Sequence, residues 1–146
     1  MNALNKYIFI VIPLLMILTS CGTSQFAKKE LDLEAKQFNI NQDKSNVYIY
    51  RPKVLNFNTE MAVEIDGKHA ANTEDATFIF QSLEPGKHII TAHGEGTNEI
   101  VITTKAGENY YILLDVRLGV FIPTPVMKLV DAKTGQAGIK KCKLVY

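Results

Sequence analysis

From Asn46 to its C-terminus the chain is cut into short segments, rich in β-branched and aromatic residues, by turn-forming residues at close intervals. This constrains the fold more than any other feature, because a strand needs only about four to eight residues whereas an amphipathic helix needs a longer unbroken period. Val47-Tyr48-Ile49-Tyr50 is apolar on both sides, as a strand buried between layers is, and Pro52 ends it. Met61, Val63 and Ile65 alternate with Ala62 and Glu64 before the tight-turn pair Asp66-Gly67. Thr77 to Phe80 reads as a third strand. Glu84-Pro85-Gly86-Lys87 suits a type II turn, with Pro preset at the second position and Gly free to take positive φ at the third. His88 to Ala92 leaves that turn as a fourth strand, Ile100 and Ile102 mark a fifth, and Tyr110 to Val116 a sixth after the turn at Ala106-Gly107-Glu108. Val126 to Val130 and Ile139 to Val145, separated by Asp131 to Gln136, read as a closing hairpin.

Seven or eight short strands without a convincing helix among them predict an all-β domain, an antiparallel β-sandwich, and exclude a parallel sheet. Its core would be drawn from Val47, Ile49, Val63, Ile65, Phe78, Phe80, Ile90, Ile100, Ile102, Ile112, Leu114 and Val116. With 47% hydrophobic residues in 146, the chain can bury such a core as one domain. Its net charge of +1 lacks the basic footprint of a general nucleic-acid binder.

The N-terminus is built differently. Tyr7 to Leu18 is an almost unbroken apolar run with Lys6 before it and Pro13 inside it. A spanning helix needs about 20 apolar residues, so this run is too short for an anchor and fits a secretory signal. It ends in Leu18-Thr19-Ser20-Cys21, which resembles the bacterial lipobox. The resemblance implies that residues 1–20 are a lipoprotein signal peptide and that Cys21 becomes the lipidated N-terminus, held to a membrane by its acyl chains. Residues 21–45 then form a polar tether, within which Ala27, Leu31, Ala35 and Phe38 recur at helical spacing and Ser24 could cap a short helix. The sandwich occupies residues 46–146. With Cys21 lipidated, Cys142 has no disulfide partner. Strand alternation puts it with Leu144 and Tyr146, opposite Lys141 and Lys143, as a buried, inert thiol.

Four pieces carry a family resemblance: Val47-Tyr48-Ile49-Tyr50-Arg51-Pro52, Val63-Glu64-Ile65-Asp66-Gly67, Leu83-Glu84-Pro85-Gly86-Lys87-His88 and Ala106-Gly107-Glu108-Asn109-Tyr110-Tyr111. In this order, behind a lipobox, they resemble small bacterial lipoproteins carrying the domain of unknown function 2846, over about residues 34 to 118. The Asp-Gly and Pro-Gly-Lys-His pieces are also similar, more weakly, to PEGA-type sandwich modules. The resemblance implies a cell-envelope lipoprotein and brings no catalytic residues with it.

A search for chemistry finds little. His88 and His93 fall on opposite faces of one strand, and His69 near a turn has no second ligand at a recognised spacing, so surface histidines are expected and no metal or cofactor is. The serines after the lipobox, Ser24, Ser45 and Ser82, sit in no nucleophile elbow. Glu74-Asp75 reads as a solvated turn, and Gly94-Glu95-Gly96 lacks the following helix that a phosphate cradle needs. Two groups remain as candidates. Tyr48, Tyr50, Tyr110 and Tyr111 around Arg51 could form a cleft for a ligand or partner through stacking and cation-π contact; the alternative is cross-strand packing with wet phenol tips. Lys140, Lys141 and Lys143 could meet an anionic surface; the alternative is that they guard an edge strand against aggregation.

The function expected from these features is that of a noncatalytic module on the periplasmic face of the outer membrane. It would be tethered to the membrane through lipid on Cys21 and bind an unknown envelope protein, not nucleic acid. The alternative is a receptor for a small molecule, glycan or lipid. A pocket beneath Tyr48 or Tyr111 would favour the receptor, and a long uncovered edge strand without a pocket would favour the protein-binding module.

Overall fold

The computed structural model describes residues 25–54, 59–118 and 123–146. Residues 1–20, expected to form a signal peptide, Cys21 and the expected capping role of Ser24 lie outside them. The described chain forms helix α1 (Lys29–Ala35), strands β1 (Ser45–Arg51), β2 (Met61–Ile65), β3 (Lys68–Thr73), β4 (Thr77–Leu83), β5 (Gly86–His93), β6 (Thr97–Thr104), β7 (Asn109–Leu118) and β8 (Pro123–Val130), helix α2 (Ala132–Ile139) and strand β9 (Lys143–Val145).

Two sheets face each other, one with the order β3-β2-β5-β6 and one with the order β8-β7-β1-β4-β9. Between them lies the main core, in which Val47, Ile49, Val63, Ile90, Ile112 and Leu114 are almost wholly buried. Each such side chain contributes about 1.5 to 3 kcal/mol by leaving water. Because strand side chains alternate, the same strands send Tyr48, Tyr50, Phe78 and Tyr111 to the outer face of the five-stranded sheet. There they are covered by Ala35 of α1, Ile139 of α2 and Cys142. The both-sides-apolar β1 is thus the middle strand of three layers. Of the predicted core, Phe78 and Phe80 belong to this outer cluster rather than to the space between the sheets.

The β-sandwich is present, with four departures from expectation. First, the described residues form nine strands, because Lys68 to Thr73 pairs with β2 across the Asp66-Gly67 turn. Both turn residues have positive φ, 53° and 72°, which is the backbone that matches strand twist in a two-residue hairpin. The polar sequence of β3 hides it from hydrophobic patterning. Second, two ladders are parallel, β1 with β7 and β4 with β9. Third, the closing hairpin does not exist: β8 pairs with β7 and β9 with β4, at opposite edges of one sheet. Parallel strands cannot be joined by a tight turn. The segment read as a loop is therefore the crossover helix α2, opened by Asp131, whose side chain accepts the Thr134 N–H at 2.9 Å. Fourth, Gly86 has φ +152°, far from the roughly +80° of a type II turn. Its segment carries the chain from the five-stranded sheet into the four-stranded one.

The described part of the polar N-terminal stretch does not stand off the domain. Phe26 forms an antiparallel bridge with Val145, and the Ala27 N–H donates to the Leu144 carbonyl at 2.9 Å. The helix predicted from Ala27, Leu31, Ala35 and Phe38 is present as α1, with Lys28 at its N-cap. Ala35 is buried, and Ala27 and Phe38 pack beside it, whereas Leu31 remains exposed.

Candidate functional site

Helix α1 is held over the outer face of the five-stranded sheet by a chain of polar contacts. Asp32 accepts the Leu144 N–H at 2.9 Å and pairs with Lys36 at 2.7 Å, and Lys36 Nζ donates to the Cys142 carbonyl at 2.6 Å. After α1 the backbone turns at Phe38, which takes φ 55° and packs its ring on Tyr48 and Tyr111 with centroids 5.4 and 6.1 Å away. Asn46 and Asn109 fix the loop that follows: Asn46 Nδ2 donates to the Asn39 carbonyl at 2.9 Å and Asn109 Nδ2 to the Phe38 carbonyl at 2.8 Å.

Between α1, this loop and strands β1, β4 and β9 a groove of about 720 Å³ remains open. That size falls within the range of small-molecule sites. Its floor is Tyr48, Phe80, Ser82 and Val145, and its walls include Leu31, Ile40 and Tyr146. These last three are about half exposed, at 47%, 55% and 54%, so their apolar surface lines the opening.

The expected tyrosine and arginine cleft does not form. Tyr48, Tyr50 and Tyr111 are buried, and strand alternation sends Tyr110 to the opposite face, where its hydroxyl donates to Glu108 at 2.5 Å. Tyr48 and Tyr111 stack at 5.4 Å, nearly parallel at 16°. Burial, with Tyr111 adding to it, pushes the Tyr48 phenol far above its ordinary value, and its hydroxyl donates to the Ala35 carbonyl at 3.2 Å. Arg51 is wholly buried at the end of β1, paired with Asp75 at 3.1 Å and donating to the carbonyls of Thr59 and Thr73. It ties β1 to the strands around it and faces no opening. Of the five candidate residues only Tyr48 lines the groove.

Residues 41–124 match the family described as Protein of unknown function (DUF2846). The chain belongs to this family. It is also 27% identical over 136 residues, 92% of its length and 81% of the relative's, to a protein of Haemophilus influenzae described as "Uncharacterized protein". The DUF2846 match runs from the groove loop to the start of β8 and so includes Asn46, Tyr48, Phe80 and Ser82. The wall residues Leu31, Ile40 and Tyr146 lie outside it.

The remaining candidates are dispersed. Lys140 is the C-cap of α2 and Lys141 follows it in a turn, so neither is on an edge strand. Lys143, on β9, places its Nζ 5.5 Å from the centroid of the Phe26 ring. His88 is buried rather than on the surface: Nδ1 meets Asp66 at 2.7 Å and Nε2 the Glu84 carbonyl at 2.8 Å. His93, on the opposite face, lies 3.4 Å from Glu64. Among the described residues no cluster of His, Cys, Asp and Glu could hold a metal ion, and no helix is long and apolar enough to cross a membrane. Sequence reasoning missed Leu31, Ile40, Ser82 and Tyr146 as neighbours because they come from the two ends of the chain and one strand between. The helical spacing through Leu31 was the one available signal.

Proposed function

We propose that this DUF2846 protein is a noncatalytic lipoprotein of the bacterial cell envelope. It is anchored through lipid on Cys21 at the periplasmic face of the outer membrane, and the groove beneath α1 is a receptor site for an apolar or amphipathic small molecule. The observation that carries the receptor reading over the protein-binding one is the groove itself, floored by Tyr48. Three of the four strand edges, those other than β3, offer less: β9 is covered by Phe26, and β8 carries Pro123 and Pro125, which cannot donate to an added strand. On the four-stranded sheet, β6 is tied to β8 where Asn98 accepts the Met127 N–H at 2.8 Å. The anchor reading is supported by Leu18-Thr19-Ser20-Cys21 at the end of the apolar run.

Mass spectrometry of the protein extracted from envelopes tests both parts. Cys21 should carry a lipid, and native spectra of the gently extracted protein should show a bound small molecule that Ile40→Asp abolishes. An unmodified Cys21 would overturn the anchor. A ligand-free protein that crosslinks in cells to one defined envelope protein would restore the protein-binding reading.

A further inference from the structure

Most polar side chains of the groove are already committed to the protein. Asn46 donates to Asn39 and Asn109 and accepts from Ser82 at 2.6 Å, Asn41 accepts the backbone N–H groups of Asp43 and Lys44, and Tyr48 donates to Ala35. Glu34 and Gln42 are exposed. A glycan or a charged metabolite is held by convergent free donors and acceptors, and here Asn46, Ser82 and Tyr48 at the floor are bonded within the protein, which leaves the exposed Glu34 and Gln42. What it offers an occupant is the apolar surface of Leu31, Ile40, Phe80 and Tyr146. That surface suits a flexible hydrocarbon chain.

The course of the N-terminal segment names the source of such a chain. Phe26 runs antiparallel to Val145, and the Tyr146 N–H donates to the Gln25 carbonyl at 3.1 Å, so the first described residue lies beside Tyr146, a wall of the groove. Cys21 lies four residues upstream of Gln25, and four residues span at most about 14 Å. A long acyl chain on Cys21 can therefore enter the groove without moving α1. We propose that the groove seats one acyl chain of the lipid carried on Cys21 of the same molecule, an inference that rests on the lipoprotein reading above. Seated there, the chain is shielded from water whenever the protein is away from a bilayer.

Feeding cells that express the full-length protein a fatty acid bearing both a diazirine and an alkyne tests this. After irradiation, purification and digestion, label should be found on Cys21, and photo-adducts should join the Cys21 peptide to groove peptides containing Leu31, Ile40 or Phe80. Ile40→Asp, at an exposed position that a polar side chain can occupy without unfolding, should remove those adducts at least tenfold while label on Cys21 persists. Mixing isotopically light and heavy copies should give light–light and heavy–heavy joins only. Label on Cys21 with adducts confined to bilayer lipids overturns the proposal and leaves the anchor standing. Equal groove adducts in Cys21→Ala mean that the occupant is a free lipid, and mixed-isotope joins mean that it comes from a second copy; either overturns it. No label on Cys21 removes the anchor and this proposal together.

Discussion

Gly138 lies against the ring of Tyr50 so closely that a β carbon there would overlap Cε2, and Gly135, one turn earlier on α2, stands in the same relation to Tyr111. The two glycines let a helix backbone rest directly on two aromatic rings of the sheet. In an isolated helix, Gly→Ala gains about 1 kcal/mol. Here overpacking reverses the sign. Gly135→Ala and Gly138→Ala should each lower stability by about 1 to 3 kcal/mol. Urea unfolding midpoints check this, and a rise in either variant would mean that α2 does not rest on the sheet.

The pairing of His88 with Asp66 predicts a stability window in pH. Burial lowers the His88 pKa, but the bonds to Asp66 and to the Glu84 carbonyl outweigh it, and the net shift is upward from 6.5. That stabilisation is complete below the unfolded value and is lost as pH rises through the raised one. Asp66 is shifted the other way, below 3.8, first by the His88 bond and then by the Ile89 N–H. Its contribution is present above the unfolded value and is lost as pH falls through the depressed one. Asp66→Asn keeps a residue that tolerates the positive φ at this turn and should flatten both limbs. Denaturation series from acid to alkaline pH on both proteins would show it; parallel curves would refute the coupling.

Cys142 should be chemically silent in the folded protein. Burial pushes its thiol up to about 11, against a partial opposing pull from Lys36, and its sulfur lies 3.4 and 3.5 Å from the carbonyls of Gly138 and Arg51. In a Cys21→Ala background at pH 8, a thiol reagent should react at least a hundredfold more slowly in buffer than in denaturing urea. Equal rates would place the thiol at the surface.

Five lysines against one aspartate make residues 126–146 locally basic. Of the five, Lys128 on β8 and Lys143 on β9 sit on edge strands, and Phe26 already covers the second edge, so guarding against aggregation accounts for only part of the pattern. Near an anionic bilayer each lysine adds about 1 kcal/mol at low salt. Replacing Lys140, Lys141 and Lys143 by Gln should therefore weaken the salt-sensitive binding of the unlipidated protein to anionic vesicles by at least tenfold in a sedimentation assay. Absence of binding by the wild-type protein at low salt would end the surface-contact reading.

The strands and their alternation were legible because burial on one or both faces writes a period of two into residues such as Val63 and Ile65, or an unbroken run such as Val47 to Tyr50. Helix α2 was not. Its glycines, selected for close approach to Tyr50 and Tyr111, look like loop residues in one dimension, and Asp131 looks like a turn residue because a helix cap and a turn ask the same thing of a side chain. The tyrosines were legible as important and misassigned in role: Tyr48 and Tyr50 face a third layer that strand patterning alone does not announce. The groove was hidden for a different reason. It is assembled from residues more than a hundred positions apart, such as Leu31 and Tyr146, and no local pattern records that meeting.

The bridge between Phe26 and Val145, with Asp32 holding the Leu144 N–H, joins the beginning of the described chain to its end. It also sets the order of events during biogenesis. Contacts of such long sequence separation form late and slowly, and β9 is the last strand to be made. A chain made from its N-terminus therefore cannot dock α1 on β9 until Leu144 to Tyr146 have been made. Until then the segment from Gln25 to Ala35 has no strand to lie against, and the arrival of Leu144 to Tyr146 is the event that fastens it.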